Sequence, residues 1–296
     1  MLTRRKFIAG LAGFPAIGLG TATYGMVIEA GYLLNITAYA FTPPRWTPGL
    51  KLCAVVIADP HIVTPYFPLS RWQSVIETTQ TLEPDVVFML GDYTSGIKFG
   101  ATPVPLADIA RVAATLKAPL GVYSINGNHD WWSDGEAQRL KKGPPQTQRA
   151  FEDAGIPVLV NRAVRLVKDG YPFWVSGTDS MISYITEPDE FHGTDNLPAT
   201  LAHVTDDAPI IHLAHEPDMF AKIPERVSIT LAGHTHGGQV RVLGRAPFTP
   251  SHYGRSHSYG HIIENDRHLI VSGGLGTSTI PIRLGVPPEI NLLELG

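Results

Sequence analysis

Apolar runs alternate with helical patterns in the first half of the chain, starting near residue 50. Leu52–Ala58 and Val86–Leu90 are continuous apolar runs, and Gly121–Ile125 is a third, mostly apolar segment. Such runs predict strands that are buried on both faces. Between them, Ser70–Leu82 and Leu106–Leu116 carry apolar residues at helical spacing. Polar residues follow each predicted strand, at the sheet edge where open α/β folds place their ligands.

The second half of the chain has a different pattern, with one predicted helix at Thr147–Ala154 and then many short apolar segments. Strands are predicted at Val158–Val160, Ala163–Val167, Phe173–Gly177, Ile210–Ala214, Ile229–Ala232, Gln239–Leu243, His261–Ile263, Leu269–Val271 and Ile290–Leu293. These strands are too many for one doubly wound sheet. The pattern therefore favours an α/β fold with two packed sheets and helices outside them.

The first forty residues form a separate segment. Arg4, Arg5 and Lys6 precede an apolar run rich in glycine and alanine, from Phe7 to about Val27. Paired arginines before Phe-Ile resemble a twin-arginine export signal. The run is nearly long enough to span a bilayer, and Ala38-Tyr39-Ala40 fits a small-x-small cleavage pattern. An ordinary N-terminal helix is the alternative.

We therefore expect a signal or membrane anchor over residues 1–40, a proline-rich linker over 41–49 and a catalytic domain over 50–296. The formal net charge of the whole chain is -4. This acidic balance argues against a nucleic-acid partner, because such partners select basic surfaces. Cys53 is the only cysteine, so no internal disulfide can form, which does not exclude export.

Five polar motifs carry the candidate chemistry. They are Asp59-Pro60-His61, Gly91-Asp92, Gly127-Asn128-His129-Asp130, His215 and Gly233-His234-Thr235-His236. Carboxylate, amide oxygen and imidazole are ligands for hard and borderline divalent metals. Taken singly, Asp-x-His fits an ordinary polar loop, and Gly-Asn-His-Asp fits a turn. Taken in order, the motifs predict a two-metal clamp of the kind used for attack on phosphorus.

The remaining histidines have weaker contexts. His212 lies in an apolar run and fits a core histidine or one that supports a ligand. The others lack a motif and are expected mostly at the surface or in a cleft: His192, His203, His252, His257, His261 and His268.

The motifs resemble the pattern of the calcineurin-like metallophosphoesterase family: D-x-H, G-D, G-N-H-[DE], H and G-H-x-H. Within that family, residues 50–296 are similar to the YkuE/YaeI-type bacterial phosphodiesterases, notably over His215–Asp218, Gly233–Val240 and Gly285–Ile290. One departure is Ala58-Asp59-Pro60, where relatives mostly have Ser-Asp-Leu or Thr-Asp-Leu. The resemblance implies a four-layer αββα sandwich, in which two packed mixed sheets are flanked by helices.

The resemblance also implies roles for the motif residues. The first metal would be bound by Asp59, His61 and His236, the second by Asn128, His215 and His234, and Asp92 would bridge both. His129 would protonate the leaving oxygen or stabilise the transition state, and Asp130 would orient His129. Two divalent ions per chain are implied, drawn from Mn, Zn and Fe. A hydroxide between them would attack phosphorus.

A late glycine-rich segment, Gly273–Thr279, is a further candidate together with Arg283. Its amides and the guanidinium are suited to a substrate phosphate. A plain glycine turn before the last strand is an equal alternative. Trp131 and Trp132, just after the histidine motif, fit either a cleft wall or the core.

The implied function is hydrolysis of a phosphodiester or a pyrophosphate, including lipid-linked substrates such as UDP-2,3-diacylglucosamine. A non-catalytic scaffold on the same fold is disfavoured, because no ligand is missing and His129 is present. A metallo-β-lactamase-type hydrolase is disfavoured too, because the H-x-H-x-D-H run is lacking. The N-terminal segment predicts an export translocon as a partner, contact with the membrane, and a periplasmic or cell-envelope location.

Overall fold

The computed structural model of the chain describes residues 19–188 and 190–296. In chain order the strands are β1 (Asn35–Phe41), β2 (Leu52–Ile57), β3 (Val63–Thr64), β4 (Val86–Met89), β5 (Thr102–Pro103), β6 (Val122–Ser124), β7 (Arg162–Lys168), β8 (Tyr171–Gly177), β9 (Tyr184–Glu187), β10 (Glu190–His192), β11 (Ile210–Leu213), β12 (Ile229–Ala232), β13 (Gly260–Glu264), β14 (Arg267–Val271) and β15 (Glu289–Leu295).

The α-helices are α1 (Leu69–Gln80), α2 (Leu106–Ala113), α3 (Asn128–Trp132), α4 (Gly135–Leu140), α5 (Gln146–Asp153) and α6 (Leu197–Ala202). A π-helical segment spans Tyr24–Glu29, and 3₁₀ segments span Pro217–Lys222, His236–Gly238 and Gly254–His257.

Two mixed sheets hold most of the strands. The first has the order β1-β15-β2-β4-β6, and its strands β2, β4 and β6 run parallel. The second has the order β13-β14-β12-β11-β8-β7, and β8, β11, β12 and β14 run parallel. The sequence-based expectation of two packed mixed sheets with helices is confirmed.

Side chains from both sheets meet in a central apolar layer. Val56 and Phe88 from the first sheet belong to the same buried cluster as Leu213 and Leu231 from the second. The opposite face of the first sheet, with Val55 on β2, packs against helices α1, α2 and α5. This explains why β2 is apolar throughout: alternate side chains enter two different cores.

The outer face of the second sheet carries the fourth layer. Ile210 on β11 and Leu269 on β14 pack with Met219 and Phe220 from the 3₁₀ segment, together with Leu197 of α6. Helices and sheets thus form four layers, with the apolar cluster between the sheets at the centre.

Two predicted strands are wrong. Val158–Val160 makes only one isolated bridge, from Val158 to Ser124, and Gln239–Leu243 makes only isolated bridges. Left-handed backbone at Gln239 (φ 58°) and Leu243 (φ 51°) interrupts the second segment, because a β-strand needs extended dihedrals throughout.

Strand β1 places the start of the folded domain before residue 50. Asn35–Phe41 is paired in parallel with β15 along its whole length, and Trp46 is buried against the central core. Residues 35–40 of the expected signal, with Phe41 of the expected linker, are therefore part of the first sheet. Ala38-Tyr39-Ala40, the small-x-small candidate, lies inside this strand.

Residues 1–18 of the predicted signal or anchor, which include the paired arginines, lie outside the described residues. Within the part of the chain that the structure describes, we find no helix with the length and apolar character needed to cross a membrane. The π-helical segment Tyr24–Glu29 is fixed to the domain by two hydrogen bonds. Arg283 N–H donates to Gly25 O (3.1 Å), and Val286 N–H donates to the Glu29 carboxylate (2.7 Å).

Candidate metal centre

The ends of parallel strands bring the five polar motifs to one place. Asp59 and His61 follow β2, Asp92 follows β4, Asn128 begins α3 after β6, His215 follows β11, and His234 and His236 follow β12. Neighbouring parallel strands end at the same edge of a sheet. Because the two sheets pack face to face, the ends of β2 and β4 lie next to those of β11 and β12.

One group of candidate ligands consists of Asp59, His61 and His236. Their ligand atoms lie within 4.8 Å of one another, and all three residues are buried. The two imidazole Nε2 atoms of His61 and His236 are 3.0 Å apart. His61 donates its Nδ1–H to the carbonyl oxygen of Thr94 (2.8 Å), which leaves its Nε2 lone pair directed into the group.

A second group consists of Asp92, His215 and His234. The amide oxygen of Asn128 lies 3.1 Å from His215 Nε2 and 2.9 Å from His234 Nδ1. His215 donates its Nδ1–H to the carbonyl oxygen of Leu90 (2.7 Å), which directs its Nε2 into the group, toward Asp92. Asn128 Nδ2 is buried without a hydrogen-bond partner among the described residues.

Asp92 lies between the two groups. Its Oδ2 is 3.2 Å from His215 Nε2 in the second group and 3.5 Å from His61 Nε2 in the first. Its Oδ1 accepts the backbone N–H of His129 at 2.7 Å. One carboxylate oxygen is thus fixed by the backbone, and the other faces both groups.

Five of the candidate ligands have left-handed backbone. The φ angles are 52° at Asp59, 44° at His61, 58° at Asp92, 68° at His234 and 53° at His236. A non-glycine residue in this region costs on the order of 1 kcal/mol or more. Such strain persists where the surrounding structure enforces it, and it concentrates at functional sites. Here it turns side chains at the strand ends toward one point.

The close packing also requires glycine before Asn128. A Cβ at Gly127 would lie 2.3 Å from Asp92 Oδ1 and 2.7 Å from the His215 ring. No real Cβ approaches that closely. Gly127 therefore lets the loop after β6 approach the carboxylate between the two groups.

Burial lowers the pKa of most imidazoles at the site; for His215 burial acts in the same direction, but the charge of Asp92 more than offsets it and raises the pKa well above its usual value. Burial lowers the pKa of His61 to about 3, against the opposing effect of Asp92, and it lowers the pKa of His234 to about 3. These rings are therefore neutral at pH 7, the form in which imidazole binds a metal.

The two carboxylates repel each other. Burial, assisted by the charge of Asp92, raises the pKa of Asp59 to about 7. Burial also opposes ionisation of Asp92, but the imidazoles of His215 and His129 hold its pKa well below the usual range. A bound cation would relieve this repulsion.

These residues fit divalent metals. The donor set contains carboxylate, amide oxygen and neutral imidazole, which hard and borderline cations take as ligands. The Nε2 atoms of His61 and His215 both face the Oδ2 oxygen of Asp92. The first group can hold one ion and the second, with Asn128, another.

His129 lies beside the metal groups, with a ring nitrogen within 4.8 Å of ligand atoms of His61 and Asp92. Its ring packs edge-on against His61 (4.8 Å between centroids) and is tilted against Trp132 (5.1 Å). Nε2 is 3.3 Å from Ser278 Oγ. Burial lowers the pKa of His129, while the charge of Asp92 opposes this shift. The ring is half-buried and lines a cavity next to the ligands.

Asp130 does not orient His129, in contrast to the sequence-based expectation. Its carboxylate accepts the backbone N–H groups of Asp92 (2.8 Å), Tyr93 (3.0 Å) and Gly127 (2.9 Å). Asp130 therefore fixes the two ligand loops after β4 and β6 to each other. His129 and Asp130 are successive residues in the first turn of helix α3, so their side chains point in different directions.

The expectation that Arg283 binds substrate is also wrong. Its side chain is fully buried, and its Nε donates to Gly276 O at 2.8 Å. The amides of the glycine-rich segment are used internally as well: Leu275 N–H donates to Ala58 O, and Gly276 N–H donates to Asp59 O. This segment therefore packs against the backbone of the Asp59 loop. At these two positions it has no amide N–H left to bind a phosphate.

Several residues at the site were missed from the sequence. The Thr94 and Leu90 carbonyls act through the backbone and have no side-chain signal. Gly96 lies directly against the His129 ring. A Cβ at position 96 would lie 2.6 Å from His129 Cε1, so only glycine fits. Ser278 lies in the glycine-rich segment that the sequence singled out for its amides, so its hydroxyl could have been considered.

The histidines without a motif have separate environments. His212 is buried and lies 2.9 Å from Ser176 Oγ, as expected for a core histidine. His257 is buried too, with Nε2 2.8 Å from Glu264, although a surface or cleft position was expected for most of these residues. His261 and His268 are half-buried and lie 3.0 Å apart. None of the four contacts the metal groups.

Comparison with known proteins agrees with this geometry. The calcineurin-like phosphoesterase family model matches residues 54–238. The chain is 27% identical to the uncharacterized metallophosphoesterase YkuE of Bacillus subtilis, covering 99% of this chain and 98% of that protein. It is 29% identical to the phosphodiesterase YaeI of Escherichia coli, covering 100% of both chains. It is 27% identical to the zebrafish (Danio rerio) transmembrane protein with metallophosphoesterase domain, covering 93% of this chain and 60% of that protein.

The matched residues run from β2 through the Gly-His-Thr-His motif, so they contain every candidate ligand described above. The family uses divalent metals, and the clusters that such ions need are present. The chain therefore belongs to the calcineurin-like phosphoesterase family and is a metal-dependent phosphoric ester hydrolase.

Proposed function

We propose that the chain is a phosphodiesterase whose centre holds two divalent ions, with Mn, Zn and Fe as the candidates. The observation that carries this proposal is the position of Asp92, whose Oδ2 lies 3.2 Å from a ligand of one group and 3.5 Å from a ligand of the other. Two ions bound there would activate a water for attack on phosphorus and neutralise charge on the phosphate oxygens.

The protein side chains have distinct roles in this proposal. Asp59, His61 and His236 hold one ion, and Asn128, His215 and His234 hold the other. His129 faces the adjacent cavity, where it donates a hydrogen bond or a proton to the leaving oxygen. Ser278, 3.3 Å from Nε2, is its neighbour there.

The bond that breaks is a P–O bond of a phosphodiester or a pyrophosphate. The printed name of the relative YaeI, a phosphodiesterase, supports the diester. A lipid pyrophosphate of the UDP-2,3-diacylglucosamine type is the second candidate, favoured by the apolar side chains of Trp132, Phe248 and Ile280 that line the cavity beside the ligands. A non-catalytic scaffold is disfavoured, because all candidate ligands and His129 come together.

The site is tested by hydrolysis of bis-p-nitrophenyl phosphate with metal-stripped protein, to which Mn, Zn and Fe are added in turn. We expect activity to return with metal and to fall on the order of 10²- to 10⁴-fold in His129→Ala. His203→Ala is the matched control, because His203 is exposed and outside the site. Metal stoichiometry is measured on the same samples. Fewer than two ions at full activity would contradict the two-ion centre.

We also propose that the chain is exported by the twin-arginine route and that its N-terminal segment contacts the membrane of the cell envelope. The paired Arg4 and Arg5 before an apolar run support this. Replacing both arginines by lysine keeps the charge and removes the motif. We expect the variant to remain inside the cell in fractionation experiments, and an unchanged distribution would contradict export by this route.

A further inference from the structure

The imidazole of His129 has no carboxylate hydrogen-bonded to it among the described residues. A catalytic histidine is commonly oriented by a carboxylate on its second ring nitrogen, but the neighbouring Asp130 binds backbone N–H groups instead. The hydrogen-bond contact that we find for the ring in the described part of the chain runs from Nε2 to Ser278 Oγ, at 3.3 Å. This hydroxyl is outside the metal ligand set, so its position requires a separate explanation.

The Nε2 atom of His129 lies on the side of the candidate ligands. Ser278 and His129 both line the cavity of about 710 Å³ that also contains Asp92 and His234. The other nitrogen, Nδ1, lies toward Gly96: a Cβ at that glycine would lie 3.0 Å from Nδ1 and 3.9 Å from Nε2. Nε2 is therefore the ring nitrogen that can reach an ester bound at the ligands.

The hydroxyl of Ser278 does not hold its own loop together. The backbone N–H of Ser278 donates to Gln239 Oε1 at 3.0 Å, whereas the hydrogen-bond contact of Oγ within the described residues is with His129. The separation of 3.3 Å is longer than a strong hydrogen bond, so both groups retain capacity for a third atom. An oxygen about 2.8 Å from each of them would complete a triangle of hydrogen bonds.

Two candidate ligand loops fix the position of Ser278. Two residues before it, Gly276 N–H donates to Asp59 O at 2.7 Å. Gln239, which accepts the N–H of Ser278, donates its own N–H to the carbonyl oxygen of His236 at 2.8 Å. The hydroxyl is therefore held in a fixed place relative to the candidate metal ligands. A group that stabilises charge developing in a transition state needs this kind of rigid support.

We propose that Ser278 is a further catalytic residue, whose hydroxyl donates a hydrogen bond to the leaving oxygen of the substrate while His129 Nε2 supplies the proton. This inference rests on the proposed phosphodiesterase function and adds a residue to it. Water adds across the P–O bond of a diester and yields a phosphomonoester and an alcohol. The hydroxyl of the water joins phosphorus, and its remaining proton restores His129 through the solvent. Ser278 keeps its own proton throughout.

The test varies the charge that the leaving oxygen carries in the transition state, since a donor to that oxygen matters most when the charge is largest. The substrates are methyl phenyl, methyl p-chlorophenyl and methyl p-nitrophenyl phosphate, whose leaving phenols are increasingly acidic. Ser278→Ala should lower kcat/KM about 10- to 100-fold for the phenyl ester, and progressively less for the other two. Ser278→Thr keeps the hydroxyl and should restore most of the rate.

Two controls accompany this series. Ser74→Ala removes an exposed hydroxyl from α1, away from the site, and should change nothing. His129→Ala should give the same order of losses, each of them larger. The double variant should lose less than the product of the two single losses, because both groups act on one oxygen. Equal losses on all three esters in Ser278→Ala, or no loss, would overturn the proposal, since a purely structural role does not depend on the leaving group.

A binding measurement separates failure of this inference from failure of the proposed function. Orthovanadate mimics the transition state of phosphoryl transfer, and its binding to the metal-loaded protein is measured by calorimetry without turnover. Ser278→Ala should weaken vanadate binding about tenfold, and Ser278→Thr should restore it. Equal affinities of the wild type and Ser278→Ala, or no binding by either, would overturn the Ser278 contact. Failure of the wild type to hydrolyse bis-p-nitrophenyl phosphate with any metal bears on the proposed function alone.

Discussion

The guanidinium of Arg283 contacts the ring of His236, with 3.1 Å between Nη2 and Nδ1. Arg283 also donates to Gly276 O (2.8 Å) and Val286 O (3.1 Å), and no part of it is exposed. Burial lowers the pKa of Arg283 to about 10. Since a guanidinium can only donate, His236 Nδ1 is the acceptor and the neutral ring carries its proton on Nε2, which a metal ion bound at Nε2 would displace. A buried cation is costly, so its position behind a candidate ligand points to a positioning role.

We expect Arg283→Met to weaken metal binding about 10- to 100-fold, because a group that orients a metal ligand contributes on that scale. The measurement is competition with a chelator, and it needs no substrate. Arg283→Lys keeps a charge but lacks the fork that reaches three acceptors, and we expect an intermediate affinity. Arg111→Met is the control, because Arg111 is exposed on α2. Unchanged affinity in Arg283→Met would show that His236 is held by other contacts.

Gly25 gives a test of how closely the π-helical segment Tyr24–Glu29 packs against Ile282 and Arg283. A Cβ at Gly25 would lie 2.7 Å from Arg283 O and 2.8 Å from the Ile282 side chain, whereas a Cβ at Gly20 has nothing within 4 Å. We expect Gly25→Ala to lower the free energy of unfolding by about 1–3 kcal/mol through overpacking. Gly20→Ala should be neutral or stabilise by up to about 1 kcal/mol. Denaturant unfolding of both variants measures the difference, and equal stabilities would contradict the close fit.

Strand β1 predicts that the working protein keeps its N-terminal segment from at least Asn35. Cleavage after Ala40 would remove nearly all of β1 and leave the edge of β15 unpaired. An unpaired sheet edge also promotes aggregation. The mass of the intact protein purified from cells should therefore include Asn35–Phe41. A chain that starts at Phe41 and is fully active would contradict this expectation.

His212 should make stability dependent on pH. Burial lowers the pKa of His212 from 6.5 to about 3. Between those values the unfolded chain binds a proton that the folded chain does not, so stability is complete above pH 6.5 and is lost as pH falls toward 3. The slope from this one group approaches about 1.4 kcal/mol per pH unit.

The comparison is denaturant unfolding of the wild type and His212→Gln at pH 7 and pH 5. Other buried histidines contribute to the pH dependence of both proteins, so only the difference reports on His212. We expect the stability lost between pH 7 and pH 5 to be smaller in His212→Gln. The same loss in both proteins would contradict a neutral His212 in the folded chain.

The sequence by itself determined which candidate metal ligands meet at the site. Buried strands are apolar on both faces, so the polar groups that follow them are conspicuous; they lie at the carboxyl ends of parallel strands, β2, β4 and β6 in the first sheet and β11 and β12 in the second. The family pattern then ordered them as ligands. The two-sheet architecture followed from the number of strands, and the helices α1, α2 and α5 from their apolar spacing.

Only the tertiary structure decided which way individual side chains point and what supports them. Asp130 is adjacent to His129, yet it bonds the backbone of Asp92 and Gly127, because successive residues of a helix face different directions. Arg283 appears in a glycine-rich context suited to phosphate, but the fold places it behind His236. Strand β1 pairs with β15 from the other end of the chain. Contacts between residues so far apart depend on packing, which local patterns do not encode.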